Sequence, residues 1–330
     1  MNRRNLLALL GAASLPSLAR AQAQAQVLAP YPQRPSKLMV PFSAGGVTDI
    51  VGRQWAERMK GPLGSIYIEN RGGGGGVPGT IEVARAEPDG STLILGNTSI
   101  MVLNPMTMSR LRYDPDKDFI PIAILCVAAT AMVVNASLPV KSLRELIAYI
   151  QANPGKLSYG SAGTGTMTHL AGEKFKLLTG ATDIAHVPYK GAGPGLSDLV
   201  SGHIPMMTPN ITGQILEFHK AGAVRILAVN APERLKAAPE IPTAIEEGLP
   251  GMIGMLFVSI AAPAATPRPI IDKIAAATRG VMADPEFQKV LQEAGLEAIP
   301  NSDTDHARKF LAEEHERWLP VIKATGLKTE

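Results

Sequence analysis

Short apolar runs alternate along this chain with longer stretches whose apolar residues recur every three to four positions. Runs at 37–42, 65–69, 92–97, 120–135, 156–160, 184–188, 204–208, 224–230 and 255–262 predict strands. Helical spacing predicts helices over 48–61, 78–86, 142–152, 167–179, 194–202, 211–221, 267–281, 284–294 and 303–325. Turn residues punctuate the pattern at Pro88-Asp89-Gly90, Asn153-Pro154-Gly155 and Pro250-Gly251. Regular alternation of this kind predicts an α/β protein with largely parallel sheets.

The first residues break that pattern. Arg3 and Arg4 precede a short apolar run, Leu6–Leu18, and Ala19-Arg20-Ala21 has the small residues of a cleavage site. The run is too short to span a bilayer, so residues 1–21, extending to about 25, predict a cleaved export signal of the Sec or twin-arginine type. The chain has 32 Lys+Arg and 29 Asp+Glu. Removing the three signal arginines leaves 29 of each in a mature chain of about 309 residues, a length that suggests two lobes. A neutral chain without a basic stripe predicts no nucleic-acid partner. Cys126 has no second cysteine to pair with and lies in an apolar run, which predicts a buried thiol.

Three loops hold the candidate chemistry. In the first, Phe42-Ser43-Ala44-Gly45-Gly46 ends a strand and feeds a helix that starts near Thr48-Asp49. Free N–H groups at a helix start suit an anion, and the glycines let it approach the main chain. The second loop, Ser161-Ala-Gly163-Thr164-Gly165-Thr166, leads to His169 and repeats the arrangement with three hydroxyls. Plain Ser/Thr capping is the competing reading. In the third, Tyr189-Lys190-Gly191 joins a strand to a helix, so the ring could wall a pocket or simply pack. Thr98, at the end of the 92–97 strand, completes the candidate ligand contacts.

Other motifs fail. Gly74–Gly79 matches G-x-G-x-x-G, but no acidic residue ends the next strand, which argues against a dinucleotide. Ser161 lacks the first glycine of a nucleophile elbow. The six histidines, at 169, 186, 203, 219, 306 and 315, have no metal-site spacing. No metal, no cofactor and no catalytic group is expected.

The ordered set Tyr31-Pro-x-Arg-Pro35, Val40-Pro-Phe-x-Ala-Gly-Gly-x-x-Asp49, Glu69-Asn-Arg-x-Gly73, Pro88-Asp-Gly90 and Tyr159-Gly-Ser-x-Gly-x-Gly165 is distinctive. It continues through His169-Leu170, His186-Val-Pro-Tyr-Lys-Gly191, Asp198-Leu199, Pro242-Thr-x-x-Glu246, Ala262-Pro-x-x-Thr-Pro267, Glu314 and Trp318. From residue 31 to the C-terminus the chain resembles the Bug family, periplasmic solute-binding receptors of tripartite tricarboxylate transporters. The resemblance implies a type II periplasmic-binding-protein fold, with two lobes, each a mostly parallel sheet between helices. It places residues 31–130 and 255–330 in one lobe and 131–254 in the other, with ligand in the cleft. One carboxylate would sit between Phe42–Asp49 and Ser161–Thr166, with Tyr189–Gly191 in the wall. Thr164 and Thr166 stand where the family often has Asn and Ser. The Phe257-Val258-Ser259 segment lacks the family's usual Trp and aromatic-Gly pair, which points to a different far end of the pocket.

The implied function is a monomeric periplasmic receptor, not an enzyme. It would capture a dicarboxylate, tricarboxylate or aromatic carboxylate and deliver it to transporter membrane subunits. An orphan ligand sensor for a signalling partner and an exported α/β hydrolase are the alternatives.

Overall fold

The computed structural model describes residues 31–328, so the expected export signal lies outside the described residues. The strands are β1 (Ser36–Val40), β2 (Ile66–Asn70), β3 (Thr92–Asn97), β4 (Phe119–Ala129), β5 (Ala131–Asn135) and β6 (Ser158–Ser161). They continue as β7 (Ala185–Pro188), β8 (Met206–Met207), β9 (Val224–Val229), β10 (Met255–Pro263) and β11 (Leu296–Ala298). All the helices expected from periodicity are present, most with ends within two residues. The short turns Ser99–Leu103, Asn104–Thr107 and Pro115–Asp118, and β11, carry too few residues to show a period.

The strands form two sheets with helices around them. One has the order β11-β4-β10-β3-β1-β2, the other β7-β6-β8-β5-β9. Both are mixed, which corrects the mostly parallel expectation. Within β2-β1-β3 and β7-β6-β8 the strands run parallel, as strand–helix–strand crossovers require. The long strands β4 and β10 pair antiparallel with each other, and β10 does so with β3. β5 is antiparallel to β8 and β9. These are the strands by which the chain leaves one sheet for the other, so they enter from the opposite direction.

The predicted single strand 120–135 is in fact two, broken at Thr130. Ala129 belongs to one sheet and Ala131 to the other. The return path from β9 to β10 passes the same point. Thr130 N–H and Oγ1 both donate to the Gly254 carbonyl, at 2.8 and 3.0 Å. Asn230 Nδ2 donates to Thr130 Oγ1 at 2.9 Å, and Asn230 N–H donates to the Thr130 carbonyl. The two crossings are thus tied together in a fully buried polar knot. Apolar faces of the helices cover each sheet, and Cys126 is buried in β4, where burial lifts its thiol to about 12. The C-terminal helix, Thr304–Thr325, packs along β4 and also touches the helix Met167–Thr179 beside the other sheet. Trp318 is buried there, and its Nε1–H donates to the buried carboxylate of Glu314.

Candidate functional site

The loop after β1 is built by the side chain of Asp49. Its carboxylate accepts from the Gly45 N–H at 3.0 Å, from Asn70 Nδ2 at 2.9 Å and from Arg53. Burial opposes the charge of Asp49, and those donors outweigh it, so the group titrates below the ordinary range. Asn70 also donates to the Phe42 carbonyl. This explains the Glu-Asn-Arg motif at the end of β2: its asparagine fixes the loop of the neighbouring strand. Gly45, at φ +88°, makes the turn that a side chain would strain. Gly46 then precedes the helix Val47–Arg58, and no side chain caps its N-terminus. Residues Gly46–Asp49 of that first turn line the space between the sheets, where the first N–H groups of a helix have no partner within the helix.

A second uncapped helix start faces the first. Gly191 precedes the helix Ala192–Ser201, also without a capping side chain. The Cβ position of Gly46 lies 3.5 Å from the Ala192 Cβ, and that of Gly45 lies 3.6 Å from the Gly193 Cα. Ser43 N–H and Oγ both donate to the Lys190 carbonyl, at 3.2 and 2.9 Å. Met167 N–H donates across the cleft to Ser99 Oγ at 3.0 Å. The two halves therefore meet through backbone and glycine, in a closed arrangement. Two positive helix ends converge on one place, a geometry that stabilises a negative group.

The loop 161–166 behaves differently from expectation. Its donors are consumed at home: Ala162 N–H by Thr168 Oγ1, Gly163 N–H by Ser161 Oγ, Gly165 N–H by His169 Nδ1, and His169 N–H by the capping hydroxyl of Thr166. The simple capping alternative describes much of it. Ser161 is fully buried, and its Oγ lies 2.7 Å from His186 Nε2, a pair that sequence spacing had concealed. A serine beside a histidine is the start of a nucleophile–base arrangement. Here the oxygen is buried, also accepts from the Gly163 N–H, and is not among the groups that line the cavity. His186 stacks on His169 with ring centroids 3.9 Å apart and on Tyr159 at 4.9 Å. Burial first, then the neighbouring His169, lowers His186 to about 4, so both rings stack as neutral imidazoles. Among the described residues no cluster of His, Cys, Asp or Glu could hold a metal ion.

The cleft closes over a cavity of about 30 Å³. Of the expected contacts, Phe42, Gly46, Asp49 and Thr166 line it. Ser43, Ala44, Gly45, Lys190 and Gly191 form the closing seam outside it. Gly163, Thr164 and Gly165 shape the inner loop. Thr98 is occupied: its Oγ1 accepts from the Phe257 N–H at 2.9 Å. The Tyr189 hydroxyl donates to Asp198 at 2.7 Å; burial and that carboxylate raise its titration to about 12. The lining residues that sequence reasoning missed include Thr48, Asn97, Ser99, Met167, Thr168, Ala192, Asn210 and Leu256. Asn97 and Ser99 could have been found from the polar end of β3, whereas Asn210 lies in a loop without any motif.

Residues 51–327 match the family model described as the tripartite tricarboxylate transporter family receptor. The chain belongs to this receptor family. Among solved structures it is similar to the periplasmic binding protein BugD, at 30% identity and a TM-score of 0.86, over 91% of this chain and 100% of that one. It is also similar to Rpa4515 of R. palustris with adipate, at 32% identity and TM-score 0.86, over 91% and 99% of the two chains. MatC from Rhodopseudomonas palustris, with bound malate, matches at 32% identity and TM-score 0.84, over 88% and 100%.

For this receptor family member the fold is accordingly that of the two-lobed periplasmic binding proteins, with the candidate cavity at the junction of the two sheets. Among the described residues no helix is long and apolar enough to cross a membrane.

Proposed function

We propose that this chain is an extracytoplasmic receptor that closes its two lobes around the carboxylate of a small organic acid and presents it to the membrane subunits of a tripartite transporter. The lobes correspond to residues 31–130 with 255–330, and to 131–254, hinged at the Thr130–Asn230–Gly254 knot. The observation that carries this reading is the meeting of two uncapped helix N-termini, at Gly46–Thr48 and Gly191–Gly193, from opposite sides of one cleft. Bound there, a carboxylate would accept charge-assisted hydrogen bonds from both lobes at once and hold them shut. The adipate and malate in the related structures are acids of the same kind. In this reading the protein acts as a monomer and a binder rather than an enzyme, and the buried Ser161–His186 pair is not among the residues that line the cavity.

Thermal unfolding against a panel of free acids and their methyl esters or amides tests this. The panel holds malate, succinate, adipate, citrate, benzoate, lactate and 3-hydroxybutyrate. At least one acid should raise the melting temperature while its ester does not. Equal stabilisation by acid and ester, or no stabilisation by any member, refutes the reading.

A further inference from the structure

The far wall of the cleft carries information about the rest of the ligand. Asp49 is the one charged residue among the described lining residues; no Lys or Arg lines the cavity. Its carboxylate is already satisfied by Gly45, Asn70 and Arg53. The other polar lining groups are committed too. Asn97 accepts from the Ser99 and Ile100 N–H groups and donates to Thr48. Ser99 Oγ holds the Met167 N–H, and Thr168 Oγ1 holds the Ala162 N–H. Phe42, Met167 and Leu256 supply apolar surface.

Asn210 is the exception. It is 9% exposed, and its Oδ1 is buried without a hydrogen-bond partner. A buried amide oxygen left unpaired is costly, so its position on the cavity wall points to a partner supplied from the cavity. The residue is also well held. Asn210 bridges Thr130 in antiparallel register, and the flanking Ile211 N–H and Pro209 carbonyl bond to Ala129 and Ala131. It stands at the crossing between the lobes.

We infer that the ligand is a hydroxy acid whose hydroxyl pairs with the Asn210 side chain while its carboxylate takes the helix N-termini, so that Asn210 selects for the hydroxyl. This rests on the carboxylate-receptor reading and narrows it. A hydroxyl suits Asn210 in either orientation of its amide, since it can donate to Oδ1 or accept from Nδ2.

Calorimetric titration of the whole mature protein with four acids tests the inference: 3-hydroxybutyrate, butyrate, malate and succinate. The hydroxy acid of a pair that binds, 3-hydroxybutyrate against butyrate or malate against succinate, should bind at least tenfold more tightly than its deoxy partner; tenfold corresponds to about 1.4 kcal/mol. Asn210→Leu should bring that ratio close to one, and Asn210→Ser, which keeps a hydrogen-bonding group, should retain part of it. If the deoxy acids bind as tightly as their hydroxy partners in the wild type, the inference is overturned while the carboxylate reading stands. If the ratio survives in a folded Asn210→Leu protein, Asn210 does not read the hydroxyl. If no acid binds, both readings fall together.

Discussion

Gly193→Ala separates closure from folding. Gly193 is the second residue of the helix Ala192–Ser201, where its backbone is helical enough that alanine fits the helix better than glycine. A Cβ built there comes closer than 3.0 Å to the Ala44 carbonyl oxygen across the cleft, and its other near atoms are the Ala44 carbonyl carbon at 3.5 Å and the Gly45 Cα at 3.9 Å. The clash therefore exists only in the closed state. Relieving it requires the seam to part by roughly 1 Å to restore ordinary carbon–oxygen contact. At that separation the Ser43 N–H bond to Lys190, now 3.2 Å, passes beyond hydrogen-bond range, and the 2.9 Å bond from Ser43 Oγ is stretched to its limit. Each such bond contributes about 0.5–1.5 kcal/mol net, so losing both costs about 2 kcal/mol. That is about 30-fold in affinity. The expected result is a 10- to 100-fold rise in the Kd of the best-stabilising acid by calorimetry, with an unliganded melting temperature equal to or above that of the wild type. X-ray scattering should show a larger radius of gyration at saturation. Wild-type affinity in a folded Gly193→Ala protein, with an unchanged scattering profile, would refute the closure geometry.

Asn70→Ala removes the tie between Phe42 and Asp49 and should lower stability by about 1–3 kcal/mol, as read from denaturant unfolding. Thr130→Val leaves Asn230 Nδ2 and the Gly254 carbonyl short of a partner within the hinge. It should cost a similar amount, and a stabilised variant would contradict the knot. Lys190→Ala should change ligand affinity less than twofold, because Lys190 joins the seam through its carbonyl and not its ammonium. His186 is held neutral by burial and by its neighbour down to about pH 4, whereas an unfolded histidine protonates near 6.5. The unfolded chain then binds the extra proton, so stability is full above pH 6.5 and falls as the pH drops toward 4. His186→Gln should flatten the melting-temperature profile in that window, and an unchanged slope would place the sensitivity elsewhere.

Periodicity was enough to place the helices and most strands, because helix and strand patterns are local and each element here buries one clear face. Gly45-Gly46 before a helical stretch likewise marked one half of the proposed anion site, since a strand feeding an uncapped helix is a local event. Periodicity missed the division of 120–135 into two strands at Thr130, where only the family resemblance put a lobe boundary, because an unbroken apolar run reads the same whether one sheet or two receive it. Hydroxyls at 161, 164 and 166 promised free donors, and only the fold shows those amides turned inward onto Thr168, His169 and Ser161. The facing donors come instead from Gly191–Gly193, brought to Gly45–Gly46 by a contact nearly 150 residues away in sequence. Ser161 and His186, and Asn210 at the cavity wall, follow the same rule. A single residue's polarity is written in the sequence, but whether that polarity is spent inside the protein or left for a ligand depends on which distant backbone comes to lie against it.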